Sequence, residues 1–347
     1  MSSGSASKNT GSLRRYILTR LLLVVPMVFI LLTIVFLLMR VAPGNPIAAS
    51  VGAHLTPAAL KVREAQAGFN KPLIVQYGDY LKQVFSGNFG TTITDNRPVT
   101  QIIEQNGGAT LELTIAAMFV AVMVGIPLGL LAGRMRDTWV DVSSRMFGIV
   151  IYAAPVFFLG LLAQELFGHV LGWLPTTSQA GVVTQLDIKS HTNLLILDAM
   201  IDGKWSALPD LLKHLVLPAC VLGLTISGVV IRLVRVNVIQ TLRGDYIEAA
   251  RARGIGERGV VVRHALRNAL VPIVTITGLQ AALLMSGAVL TEQTFNWPGI
   301  GNRLVFYLES RDYTAVQGIV TAFTLSVVVI SLLIDVVNAW IDPRVRF

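Results

Sequence analysis

The chain has 347 residues, of which 53% are apolar and only 14% charged, with a mean hydropathy of +0.65. A soluble globule of that size would lack the polar surface to cover itself, so the composition excludes a soluble fold and predicts an integral membrane protein. The formal charge of +8 would suggest a nucleic-acid partner in a soluble chain, but in a membrane chain it is the placement of Lys and Arg that carries meaning; the single cysteine, Cys220, excludes an intrachain disulfide framework.

In chain order, the first twelve residues are rich in Ser, Gly and Ala and read as a disordered tail, within a segment 1–16 assigned to the cytoplasm. Arg14, Arg15 and Arg20 flank Leu21–Met39, an apolar run too long for a secretory signal and followed by no small-residue cleavage pattern, so 17–40 reads as a retained membrane helix. Residues 41–108 form an extracytoplasmic insertion punctuated by Pro43, Pro46, Pro57 and Pro72. Within it Thr56–Phe69 predicts a helix with Pro57 at its first position, and the spacing over Leu73–Phe85 predicts a second. The insertion is either a docking surface for a solute-binding protein or a structural collar.

Five more apolar runs follow, Leu113–Gly133, Met146–Gln164, Leu215–Ile231, Ala269–Thr291 and Tyr313–Ile334, each reaching or nearly reaching the ~20 residues that cross a bilayer. Six spans place both termini on one side. With that side cytoplasmic, the inside segments hold 15 Lys and Arg in 71 residues and the outside segments 11 in 135, so the positive-inside rule selects this orientation. Pro26, Pro127, Pro155, Pro218 and Pro272 each remove a backbone donor from one of five spans and predict kinks. Small-residue rows at four-residue spacing, Ala219/Gly223/Ser227 and Gly278/Ala282/Ser286, permit close helix approach or line a wide channel. Thr275, Gln280 and Ser286, with Glu165 near the end of the third run, are the candidate path-lining polar groups.

The longest basic segment between apolar runs, DYIEAARARGIGERGVVVRHALRNALVP, spans Asp245–Pro272 and reads as helix, break, helix. Asp245 with Glu248 three residues on has capping-box spacing, the alanines favour helix, and Gly254 suits a left-handed stop. A helix of two to three turns is marginal alone, so it is expected to dock on something.

Glu248-Ala249-Ala250 with Gly254 resembles the EAA loop of ABC-importer permeases, although the wider pattern ends in Ile-x-Leu-Pro, whereas here Ala269-Leu270-Val271-Pro272 stands further downstream. FLLMRVAPGNP (36–46), KPLIVQYGDYL (71–81), TEQTFNWPGIG (291–301), Arg311-Asp312-Tyr313 with Val316-Gln317-Gly318, and Asp342-Pro343-Arg344 resemble the dipeptide/oligopeptide/nickel permeases, specifically the first of their two paired membrane subunits. The resemblance implies the type I importer fold, all-α with six transmembrane helices and both termini cytoplasmic. It implies a five-helix permease core over 109–347, with a coupling loop at 237–268 in which Asp245, Tyr246, Glu248, Ala249, Ala250, Arg251, Arg253 and Gly254 meet an ATPase. Glu292, Trp297 and Arg303 become candidates for the outer gate or for contact with the binding protein, and Asn296–Gly299 for a type II turn. The implied partners are a second homologous permease, two ABC ATPase domains carrying ATP and Mg, an extracytoplasmic solute-binding protein and the lipid bilayer of the inner membrane, with no nucleic acid.

No G-x-x-x-x-G-K-[ST] phosphate loop, H-E-x-x-H pair or nucleophile elbow occurs, so the chain is expected not to be an enzyme and to bind no cofactor or metal itself. Within the resemblance, nickel, glutathione or oligosaccharide remain alternative solutes to di- or oligopeptides. A self-contained ion-coupled transporter is the competing class, for which no internal repeat is found.

Overall fold

The structure is a computed structural model that describes residues 8–41, 70–260, 278, 280, 284 and 288–341, and among them it is helical, with one isolated bridge between Thr91 and Pro98. In chain order the helices are α1 (Lys8–Val41), α2 (Leu73–Phe85), α3 (Val99–Arg134), α4 (Trp139–Ala153), α5 (Val156–Ala163), α6 (Val182–Asp187), α7 (Leu195–Ile201), α8 (Leu208–Leu242), α9 (Asp245–Ala252), α10 (Ile300–Glu309) and α11 (Tyr313–Ile341). The helix expected over Thr56–Phe69, Pro272, Thr275, Ser286, Ala282 and the closing Asp342-Pro343-Arg344 lie outside the described residues, as does most of the fifth apolar run.

Among the described residues, four helices are long and apolar enough to cross a membrane: Leu18–Arg40, Val99–Arg134, Trp205–Leu242 and Tyr313–Val336. The third apolar run carries the kink expected at Pro155 as a sharp break: α4 and the Val156–Val170 helix meet at an angle of 100°, and counting the bent pair as one span brings the total to five. Ala154 and Pro155 both take extended ψ angles, 133° and 131°. Proline disfavours the α conformation in the residue before it, and here no helix resumes until Val156. At Pro26, Pro127 and Pro218 the helices run on unbroken, so proline alone does not decide the outcome. Of the expected disordered tail, residues 8–12 are helical, because α1 starts at Lys8, and the first seven lie outside the described residues; once a long apolar helix is nucleated, each added residue costs little.

The centre of the fold is the parallel pair α3 and α8, 36 and 35 residues long. At 1.5 Å per residue each reaches roughly 50 Å, more than the bilayer core, so both project beyond it. Small residues set how closely they approach. A methyl placed on Gly125, Gly129 or Gly133 would lie 2.6, 2.6 and 2.9 Å from the Cβ of Val230, Val234 and Val238. Both rows repeat every four residues, so the glycines form a groove into which the valine ridge fits. The Ala219/Gly223/Ser227 row serves the same contact further along α8: a methyl on Gly223 would lie 2.4 Å from the Ala117 carbonyl, and Ser227 is fully buried. That row is packing and not channel lining. The core beyond it, Leu113, Leu215, Leu222, Leu284 and Trp297, lies at the opposite end from α9.

Around the pair, α11 packs on α1, with Arg20 and Asp335 paired at 3.3 Å. The α2 helix, at the limits its spacing predicts, joins both: Tyr77 meets Thr33 at 2.6 Å and Tyr80 meets Thr321 at 2.8 Å through their hydroxyls. The long exposed side chains of α1, among them Leu22, Leu23 and Ile30, are what a lipid-facing or subunit-facing helix presents.

Candidate functional site

The continuous helix α8 ends at Leu242, and α9 begins three residues later. The capping box expected from Asp245 and Glu248 does not form. Gly244, at φ −78° and ψ 143°, is the N-cap, no side chain caps the helix, and Asp245 stands at the first helical position. There its backbone is already helical, so its carboxylate acts on the helix dipole and not as a hydrogen-bonded cap. The stop matches expectation. Gly254 has φ +77°, its N–H donates to the Arg251 carbonyl at 2.9 Å, and the Ile255 N–H donates to the Ala250 carbonyl at 3.2 Å. This is the Schellman pair, and Ile255 packs on Ala250 beneath it.

Ile247 and Ala250 bury one face of α9 against Leu242, Ile255 and Val260, while Tyr246, Ala249 and Arg253, at i, i+3 and i+7, form an exposed stripe beside exposed Asp245 and Glu248. Arg251 turns aside to hold Glu257, Nε to Oε1 at 2.7 Å. That hydrogen bond depresses the Glu257 carboxyl below its ordinary range and raises Arg251. Sequence reasoning assigned all of Asp245–Gly254 to one contact; the fold divides them into an inward anchor, an outward stripe and an internal ion pair.

At the other end of α3 and α8 the TEQTFNWPGIG segment folds as helix, turn, helix. The expected type II turn is absent, since Gly299 has φ −86°; the left-handed residue is Asn296, at φ 45°. Asn296 sits at the C′ position of the helix that ends at residue 294. The Trp297 N–H donates to the Glu292 carbonyl at 2.8 Å and the Asn296 N–H to the Gln293 carbonyl at 3.3 Å, a second Schellman pair with Asn in the role of Gly. Trp297 is 1% exposed and its Nε1 donates to the Ala109 carbonyl at 2.8 Å, so it is no interface anchor. Glu292 is fully buried. Its carboxylate accepts from the Thr110 hydroxyl at 2.7 Å and from the Asn302 N–H at 2.9 Å, at the N-terminus of α10, where the helix dipole favours a negative charge. Neither Glu292 nor Trp297 therefore reaches a surface that a separate protein could touch. Arg303, on α10, is half-buried.

Three residues that sequence reasoning did not select complete this site. Thr110 receives the Ile300 N–H at 2.9 Å while donating to Glu292, and Asn106 donates to the Pro298 carbonyl at 2.8 Å. Asp312, fully buried, caps α11 through the Ala315 N–H at 3.0 Å and with its other oxygen accepts the Ile93 and Thr94 N–H groups at 2.6 and 2.8 Å. An Asp immediately before a long apolar run is a legible N-cap signal; its clamp on residues 93–94 is not. Tyr307 donates to Asp95 at 3.0 Å, and its burial, with that hydrogen bond, pushes the phenol up to about 12.

The path candidates are scattered. Glu165 lies in a π-helical turn, Gln164–Val170, largely exposed and paired with His169 at 3.7 Å. Gln280 is helical and half-buried. Glu112 is 8% exposed and accepts from Gln179 at 2.5 Å and from the Ile196 N–H at 2.7 Å, which ties α3 to the lobe between α5 and α8. Among the described residues no three His, Cys, Asp or Glu are grouped to hold a metal ion.

The described residues thus form a helical membrane bundle with a short outward-facing helix at one end of its central span and a tied turn at the other. The chain belongs to the family described as binding-protein-dependent transport system inner membrane components: residues 125–347 match that family's model, and residues 13–114 match the model for the N-terminal part of such components. It is 35% identical over 332 residues, 96% of this chain and 99% of the relative, to the dipeptide transport system permease protein DppB of Alkalihalophilus pseudofirmus. It is 34% identical, with the same coverage, to the glutathione transport system permease protein GsiC of Salmonella typhimurium. Among solved structures it resembles an inward-facing form of the methionine ABC transporter MetNI with a TM-score of 0.51 and 14% identity, covering 67% of this chain and 93% of that one, a likeness of fold.

Proposed function

We propose that this chain is one of two membrane subunits of an ATP-driven importer of di- or oligopeptides, with α9 as the seat for an ABC ATPase. The observation that carries the reading is the construction of α9. A two-turn helix is marginal in water, yet this one is anchored by Ile247 and Ala250, stopped by a Schellman pair at Gly254, and keeps Tyr246, Ala249 and Arg253 uncovered. ATP and Mg belong to the partner ATPases, and a second permease completes the pathway. The termini and α9 lie in the cytoplasm, as the distribution of Lys and Arg supports, and the solute-binding protein meets the opposite end. Names of the relatives support peptides or glutathione as solute.

The test is purification of the tagged protein from its native membrane in mild detergent, with mass spectrometry of the co-purifying chains and uptake of labelled dialanine and glutathione by proteoliposomes of the recovered complex. Recovery of a second permease and ABC ATPases with ATP-dependent uptake supports the reading. Isolation without an ATPase, with uptake driven by an ion gradient, refutes it.

A further inference from the structure

A buried ion cluster that the coupling site does not include joins the three helices nearest to it. Asp141, in the first turn of α4, has a fully buried side chain and is gripped by Arg235 of α8 with two prongs: Nε to Oδ1 at 2.5 Å and a terminal nitrogen to Oδ2 at 2.8 Å. The same carboxylate accepts the Asp137 N–H at 3.0 Å, which fixes the turn between α3 and α4, and it faces Arg145 at 3.5 Å. Arg235 is itself largely buried, and α3 presses on the α8 backbone beside it: a methyl on Gly133 would lie 3.2 Å from the Arg235 carbonyl. A paired guanidinium and carboxylate fix direction as well as distance, and neither charge can be withdrawn alone without leaving the other buried and uncompensated.

The position of the pair in the chain gives this rigidity a use. Arg235 lies seven residues, roughly 10 Å, before the end of α8 at Leu242, and α9 begins three residues later, after the extended Gly244. Ile247 and Ala250 of α9 pack on Leu242, so a displacement of α9 bears on the helix that carries Arg235. Two turns further along, α4 and α8 touch through Gly148 and Gly228, where an added methyl would lie 3.3 Å from the opposite Cα, so α4 is held to α8 at two levels. Beyond the 100° bend at Ala154 and Pro155, α5 lies on the buried segment near Glu292: a methyl on Gly160 would lie 3.0 Å from Thr294 and 3.2 Å from the Phe295 ring. The contacts form an unbroken physical path from α9 through Arg235, Asp141, α4 and α5 to the Trp297 turn.

We infer that Asp141 and Arg235 are positioning residues for coupling: the pair makes α4 follow α8, so that movement imposed on α9 arrives at the bend and at the outer turn. The inference rests on the coupling role proposed above for α9. A pair that only stabilised the fold would be replaceable by an apolar pair of similar volume, because buried ion pairs contribute little net stability over well-packed hydrophobic side chains. A pair that transmits direction would not, since apolar contacts let helices slide.

The test compares Arg235→Lys and the double variant Asp141→Leu/Arg235→Met with the unaltered complex, purified with its ATPases and binding protein and placed in proteoliposomes. Three quantities are read: ATPase retained, thermal midpoint, and labelled dialanine or glutathione imported per ATP hydrolysed. The expected result is normal ATPase retention and thermal midpoint with import per ATP reduced about 10-fold in the double variant, within the range by which residues along a coupling path alter coupling, and by a smaller factor in Arg235→Lys. Import per ATP equal to the unaltered complex in the double variant overturns the inference. Where the double variant fails to assemble, Arg235→Lys decides, since it keeps the charge and gives up one prong. Failure of the unaltered complex to retain an ATPase overturns the coupling role of α9 itself, which is a separate outcome read before any variant is made.

Discussion

Gly254 offers a perturbation in which backbone conformation and side-chain space are cleanly separated. Its φ is +77°, yet a methyl built on it meets none of the described residues within 4 Å. Loss of function on substitution is therefore expected from the left-handed backbone and not from a clash with those residues. For an L-residue that conformation costs roughly 1–2 kcal/mol, least for Asn and most for a β-branched side chain. At about 1.4 kcal/mol per factor of ten, an alanine should lower the population of the properly terminated α9 by roughly 5- to 30-fold, and a valine by more. The stop also holds Ile255 over Ala250, so unwinding it releases part of the anchor under α9. Membrane insertion should not change, because no spanning helix is touched. The assay is ATPase co-purification and dialanine uptake for Gly254→Asn, Gly254→Ala and Gly254→Val, at equal amounts of membrane-inserted protein. Activity should fall in that order. Equal and severe loss in all three would show that the partner surface, not the backbone, excludes a side chain there, and normal uptake in Gly254→Val would refute the role of the stop altogether.

Other outcomes follow from the same geometry. Gly129→Leu forces a side chain into the 2.6 Å gap at Val234 and should abolish stable assembly, seen as loss of the monodisperse peak in detergent chromatography, whereas Gly78→Ala, within α2 and with open space around it, should raise the thermal midpoint through a gain of about 0.5–1 kcal/mol. Glu292→Leu leaves the Asn302 N–H and the Thr110 hydroxyl without their buried acceptor and should cost about 1–3 kcal/mol for each lost partner, exposing the 291–313 segment to limited proteolysis. Trp297→Phe keeps the ring's bulk and removes one hydrogen bond to Ala109, a loss of about 0.5–1.5 kcal/mol in thermal stability. Tyr307 titrates only at about 12 in the fold against 10.0 ordinarily, so its contribution is intact below pH 10 and is lost as the pH rises toward 12; ultraviolet titration of Tyr307→Phe should lack the highest phenolate step.

Much of the chain was legible because the bilayer imposes simple rules. Runs of about 20 apolar residues must become helices, so α1, α3, α8 and α11 follow from composition alone. Leu73–Phe85 follows from its spacing, and the left-handed stop at Gly254 from residue type. The misreadings share a cause. Asp245 as a cap and Gly299 in a type II turn are both compatible with the local residues, and each was displaced by a neighbour that satisfied the same requirement: Gly244 and Asn296.

By itself, the sequence determined the membrane class, the long spans and the short helix that opens the basic segment after α8, because these depend on hydrophobic length and local propensity. Only the tertiary structure decided which glycines are grooves, that Glu292 and Trp297 are buried, that Thr110 and Asp312 tie distant segments, and that Asp141 meets Arg235 across 94 positions. Such pairings depend on which faces of α3, α4 and α8 come together, and close packing selects those faces from contacts that no local stretch of chain contains.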